Sequence, residues 1–109
     1  MKYHNRKVSV DNITFDSAKE ARRYTELKLL ERAGKIKRLE LQPEFILQPA
    51  FTKGGKRYRK IAYKADFSYF DIEKGVYTVE DAKGFKTDVY KLKKKLFEYR
   101  YKELSLKEV

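Results

Sequence analysis

The chain has 109 residues, with 27 Lys and Arg against 16 Asp and Glu, a formal net charge of +11, one His and no Cys. That length gives a single domain over residues 1–109, and the lack of Cys excludes a disulfide framework, a thiolate zinc site and cysteine catalysis. No apolar run reaches the roughly 18–20 residues of a membrane span, and no hydrophobic stretch follows the basic start, so we expect no membrane partner and a cytoplasmic location.

Residues 1–6 read as a mobile tail, and His4 within it is no candidate base. Val8-Ser9-Val10 and Ile13-Thr14-Phe15 alternate about Asp11-Asn12, which predicts a hairpin. Ser17 then caps a helix that runs to about residue 33, with Ala21, Tyr24, Leu27, Leu30 and Ala33 at helical spacing and Gly34 as the stop. A connection through Gln42-Pro43 leads to an edge strand over 45–51, broken by Pro49. Gly54-Gly55 turns the chain into a longer strand over 59–70, and Glu73-Lys74-Gly75 turns it into the next, over 76–83. Thr87 or Asp88 caps a second helix with Val89, Leu92, Leu96 and Tyr99 as its apolar stripe. Leu104-Ser105-Leu106 closes as a short strand. With 41% hydrophobic and 15% aromatic residues the chain can build a core. The predicted class is α+β.

So large a positive charge on one domain points to a polyanion, because neutralising phosphates releases condensed counterions. Lys53, Lys56, Arg57, Arg59, Lys60 and Lys64 flank the Gly54-Gly55 turn without an acid between them. Lys86, Lys91, Lys93, Lys94 and Lys95 surround the second helix, where Lys91, Lys94 and Lys95 would share a polar face. These sets read as a phosphate-binding rim, although any single lysine is explained as a solvated charge. Arg22 and Arg23 read as balancing Glu26. Tyr58 and Tyr63 could stack on bases or pack in the sheet.

Against that background stand Asp66, placed mid-strand, and Asp81 and Lys83 at the end of the following strand. Strand alternation sends Asp81 and Lys83 to one face, roughly 7 Å apart, and Glu80 to the opposite face as a surface charge. Asp66 on the neighbouring strand would reach the same patch. Two adjacent carboxylates repel unless a cation lies between them, and oxygen donors suit Mg²⁺ or Mn²⁺. Such a cation activates water and offsets phosphate charge, and Lys83 would orient that water and stabilise the developing charge. These are the parts of a phosphodiesterase. A structural ion pair is the competing account of Asp81 and Lys83.

Asp66, fourteen residues, then Asp81-Ala82-Lys83 resembles the signature of the PD-(D/E)XK nuclease superfamily, with Ala65 where the name has Pro. The segments Phe15-Asp16-Ser17-Ala18-Lys19-Glu20-Ala21-Arg22-Arg23-Tyr24, Leu41-Gln42-Pro43, Ala65-Asp66-Phe67 and Val79-Glu80-Asp81-Ala82-Lys83-Gly84 resemble a small phage and prophage family placed in it. The resemblance implies a restriction-endonuclease-like fold, a mixed central sheet flanked by helices with an αβββαβ core behind the N-terminal hairpin. It implies metal bound by Asp66, Asp81, the Ala82 carbonyl and Glu20, with Lys83 assisting the nucleophile and Gln42 beside the site. Ser17-x-x-Glu20 also reads as a capping box, so Glu20 has two competing roles. The implied activity is Mg²⁺-dependent endonuclease cleavage of DNA, branched as in junction resolvases or duplex, with cutting of two strands calling for a homodimer. RNA remains open as a substrate. The alternative is a non-catalytic nucleic-acid-binding protein, which would gain nothing from acids in its basic surface.

Overall fold

Asp11 and Asn12 both take left-handed backbone, φ 53° and 64°, the pair of positive angles that a tight hairpin turn requires. They join β1 (Val8–Val10) to β2 (Ile13–Phe15) in antiparallel register. The computed structural model describes residues 6–82 and 86–109. The tail expected at 1–6 lies outside the described residues apart from Arg6, as does Lys83.

The first helix, α1 (Ala18–Arg32), starts at Ser17, whose hydroxyl accepts the Glu20 N–H at 3.1 Å. It stops at Ala33 before Gly34, whose φ of +75° favours glycine. Ala21, Tyr24 and Leu27 bury the predicted stripe against Phe15, Ile36, Phe67 and Tyr69. The helix then delivers the chain into β3 (Ile36–Leu41), a strand where the sequence suggested only a connection. A bulge between Lys37 and Glu40, with Arg38 at φ 58°, breaks the alternation of Ile36, Leu39 and Leu41 and so hides the strand from a period-2 reading.

Beyond Pro43 come β4 (Glu44–Gln48), β5 (Phe51–Lys53), β6 (Lys56–Tyr58) and β7 (Ile61–Lys64), in which β4 pairs with β7 and β5 with β6. The strand expected over 59–70 is therefore two. Its first half pairs with β4, and its second, β8 (Phe67–Asp71), enters a different sheet. The exchange takes place at Ala65 and Asp66: Ala65 N–H bonds Pro43 O at 3.1 Å and Asp66 N–H bonds Glu80 O at 3.1 Å. Asp66 is thus in the bend between strands, a position that suits Asp better than a strand interior.

A turn ending at Gly75 (φ +67°) leads to β9 (Val76–Asp81), antiparallel to β8. The second helix, α2 (Asp88–Arg100), is capped by the Thr87 hydroxyl on Tyr90 N–H at 3.0 Å. It carries the chain to β10 (Ser105–Glu108), parallel to β9. The main sheet has the order β10-β9-β8-β3. One face packs on α1; the other, with Val79, packs with Leu47, Tyr63 and Ala65 on Tyr90 and Phe97 of α2. The protein is a mixed α+β fold with two helices and several small sheets. Among the described residues no helix is long and apolar enough to cross a membrane.

The predicted stripe of α2 is corrected. Tyr90 and Phe97 are buried, whereas Val89, Leu92, Leu96 and Tyr99 are exposed. Aromatic packing decides the rotation: Phe97 lies 5.0 Å from Phe45 and 5.3 Å from Tyr63, ring centre to ring centre. The Tyr101 hydroxyl adds a bond to Ile46 O at 2.9 Å. The more voluminous rings gain more from burial than the aliphatic stripe would.

Candidate functional site

Glu20 projects from the first turn of α1 and is 6% exposed. Burial, and next the charge and hydrogen bond of Asp66, push its carboxyl up to about 7, while the Asp16 backbone amide works in the opposite direction. Near neutral pH, then, the Glu20 carboxyl beside Asp66 is still partly protonated. Asp66 is anchored from a third direction, since its Oδ2 accepts the Ala82 N–H at 2.6 Å. Its carbonyl accepts the Gln42 N–H at 2.8 Å. Gln42 holds a left-handed backbone, φ 51°, unusual outside Gly and Asn and sustained here by that bond. Glu20, Gln42 and Asp66 line one cavity of about 190 Å³, walled by Ile13, Phe15 and Leu41. Three residues distant in sequence, on α1, at the end of β3 and in the bend before β8, thus converge as the sequence suggested.

The capping alternative for Glu20 is resolved in an unexpected way. Ser17 caps the helix through its own hydroxyl. The Glu20 carboxyl has the Asp16 backbone and Asp66 as its neighbours, so one residue serves both the helix start and the cavity.

Asp81 corrects the expectation of a shared patch. Its main chain does come to Asp66, through the next residue's N–H, but its side chain enters the other face of the sheet. There it is wholly buried and accepts a hydrogen bond from the Tyr63 hydroxyl. Burial, with Asp81 next, drives the Tyr63 phenol well above its usual range. Alternation places Asp81 with Val79 on the α2 face, as the sequence implied; the misjudged element was Asp66, whose bend turns it to the α1 face. Among the described residues no group of three or more His, Asp or Glu side chains is gathered as a metal would need. The pair Glu20–Asp66 is what the structure offers, and two carboxylates with space for water suit a hard divalent cation. The Ala82 N–H is engaged by Asp66, and Lys83 lies outside the described residues.

Glu80 is not the expected surface charge. It is completely buried, held by Arg23 through two bonds, Nε to Oε1 at 2.7 Å and a terminal nitrogen to Oε2 at 2.6 Å, and by the Tyr69 hydroxyl. Arg23 also reaches Glu26 at 3.0 Å, so the balancing role anticipated for it is a minor part of what it does. The signal was available: a sheet with a helix on each face leaves neither side of its central strand open to water.

The basic rim divides. Lys86 and Lys94 lie 3.0 and 3.6 Å from Glu108, and Lys60 lies 2.9 Å from Glu44, so these three already have carboxylate partners. The Tyr90 hydroxyl and then Lys86 hold Glu108 down at about 2. The polar face predicted for Lys91, Lys94 and Lys95 is broken up, with Lys94 half-buried beside Glu108 and Lys91 and Lys95 exposed. Lys53, Lys56, Arg57 and Arg59 are exposed on and beside β5–β6.

Over residues 1–109 the chain matches the family model described as protein of unknown function (DUF1064), and it belongs to that family. No curated protein and no solved structure matches it significantly.

Proposed function

We propose that this chain is a metal-dependent endodeoxyribonuclease with a restriction-endonuclease-like core, acting on branched or duplex DNA. The observation that carries the reading is the Glu20–Asp66 pair, two carboxyls brought together in a cavity of a protein with a net charge of +11. A pure phosphate binder has no use for it, because each acid repels the ligand. The element order supports the fold reading: helix, three antiparallel strands, helix, and a parallel fourth strand, with β4–β7 inserted between the first and second strands.

In this reading Asp66 and Glu20 hold Mg²⁺ or Mn²⁺, with the Ala82 carbonyl as a further donor. Such a cation, when bound, supplies a Lewis acid that activates water and offsets charge on the phosphate. The Ala82 N–H fixes Asp66, Gln42 fixes the bend that carries it, and Lys83 orients the attacking water and stabilises the negative charge that develops as it attacks. Lys53, Lys56, Arg57, Arg59, Lys91 and Lys95 bind the phosphodiester backbone. Resolving a junction requires two cuts and hence a second copy of the chain.

One observation favours the non-catalytic alternative: the Asp81 carboxylate accepts a hydrogen bond from Tyr63, amid the core cluster on the α2 side of the sheet. Cleavage of labelled four-way junction, flap, single-stranded and linear duplex DNA with Mg²⁺, Mn²⁺ or EDTA separates the two. Cutting is expected with either metal, none in EDTA, and a loss of at least about a hundredfold in Asp66→Ala. Tight DNA binding without cutting under either metal would sink the nuclease reading.

A further inference from the structure

Gln48 and Ile61 are partners in the β4–β7 ladder, so everything from Pro49 to Lys60 is an excursion out of one hairpin. Each of those residues is exposed, and none belongs to either core cluster. Among the described residues β5 and β6 pair only with each other, around Gly54 and Gly55 at φ +58° and +77°. A bare two-stranded ribbon of this kind is marginally stable by itself.

Its register arranges the side chains by face. Phe51 opposes Tyr58 and Lys53 opposes Lys56 on one side, while Thr52 opposes Arg57 on the other. The Phe51 and Tyr58 rings stack at 4.7 Å and 9°, and Lys56 Nζ lies 5.2 Å from the Tyr58 ring centre. Two like charges directly opposed across a hairpin destabilise it. No Asp or Glu occurs from Pro49 to Lys60 to offset them. An anion seated between the two ammonium groups relieves that repulsion. Tyr58, with Phe51 stacked on it and an ammonium over its ring, is a brace for Lys56 and not an open platform for an unpaired base. A two-stranded ribbon also has the width that the major groove of B-DNA accepts, about 12 Å.

We infer that the ribbon is a duplex-DNA-binding arm, separate from the acidic cavity, in which Lys53 and Lys56 clasp a backbone phosphate and Arg57 serves the opposite face. The inference rests on DNA as the partner in the reading above but not on cleavage.

The test uses the full chain in EDTA, where no cutting interferes. Two variants are compared with it: Lys53→Thr combined with Lys56→Thr, and replacement of Pro49 to Lys60 by Asn-Gly, which reconnects Gln48 to Ile61 through a tight turn. Fluorescence anisotropy reads the affinity for a labelled linear duplex and for the matching single strand over a salt series. Both variants are expected to lose about tenfold or more in duplex affinity, with a smaller loss on the single strand. The slope of affinity against salt is expected to fall by about 2 for the double Thr variant. Hydrogen exchange of the ribbon amides should slow in the Thr variant, and in the wild-type chain when duplex is added. Unchanged duplex affinity in both variants, or ribbon amides left unprotected in the complex, overturns the arm. Equal losses on duplex and single strand overturn its duplex preference. If the wild-type chain binds no DNA, the arm and the nuclease reading fall together; ribbon-dependent binding without metal-dependent cutting leaves the arm standing and removes only the nuclease.

Discussion

A carboxyl buried away from water and set beside a second carboxyl resists ionisation, and Glu20 does so until about pH 7. Its free acid ionises near 4.5. In the unfolded chain, therefore, it gives up its proton earlier than in the fold. The stabilisation this residue provides is complete below about pH 4.5 and is lost as pH rises towards 7. The loss expected at neutral pH, relative to acid, is about 3 kcal/mol, and Glu20→Gln should remove that dependence. Urea denaturation of both chains in a metal-free pH series checks it; parallel pH profiles for the two would contradict the assigned pairing. A different economy governs Glu80. With no exposure at all, it relies on the Arg23 guanidinium and the Tyr69 hydroxyl. Arg23→Ala leaves that charge uncompensated inside the protein and should cost about 3–5 kcal/mol. Pairing Arg23→Leu with Glu80→Met should recover most of the loss, as measured by the same unfolding curves.

At the scale of elements, the two helices were legible to different degrees. The first was readable because its cap, its buried stripe and its terminating glycine agree: Ser17, then Ala21, Tyr24 and Leu27, then Gly34. In the second helix two candidate stripes coexist, one aliphatic and one aromatic, and periodicity alone cannot choose between them. The choice is made by Phe45 and Tyr63, which present rings to Phe97 from β4 and β7. Phe97→Ala should therefore cost about 3–5 kcal/mol, whereas Leu92→Ser, on a residue 59% exposed, should stay within about 0.5 kcal/mol. Thermal unfolding of the two variants decides between the faces. The candidate site shows the same limit. Glu20, Gln42 and Asp66 could be named from sequence, and they meet. The separation of the Asp66 side chain from that of Asp81 could not, because it depends on where β7 hands over to β8. A bend at Asp66 inverts its face relative to simple alternation, and only the bonds to Pro43 and Glu80 reveal the bend. Strand β3 was lost for a related reason, since its bulge erases the pattern by which strands are recognised.

For the molecule as a whole, the net charge of +11 is unevenly used. Near α2 the lysines at 86 and 94 are drawn to Glu108, while Lys53, Lys56, Arg57 and Arg59 project with the exposed ribbon. The sheet that carries β8 and β9 ends in β3 on one side and β10 on the other. Such edges ordinarily invite another chain to add a strand. Here β3 is kinked between Lys37 and Glu40, and β10 is 4 residues long and carries Lys107 and Glu108. A strand approaching either side meets a distorted ladder or a charged, short one. Blunted at both borders, the sheet offers a neighbouring molecule no straight, bare ladder to extend, so growth of one copy upon another, strand after strand, is checked at its first step.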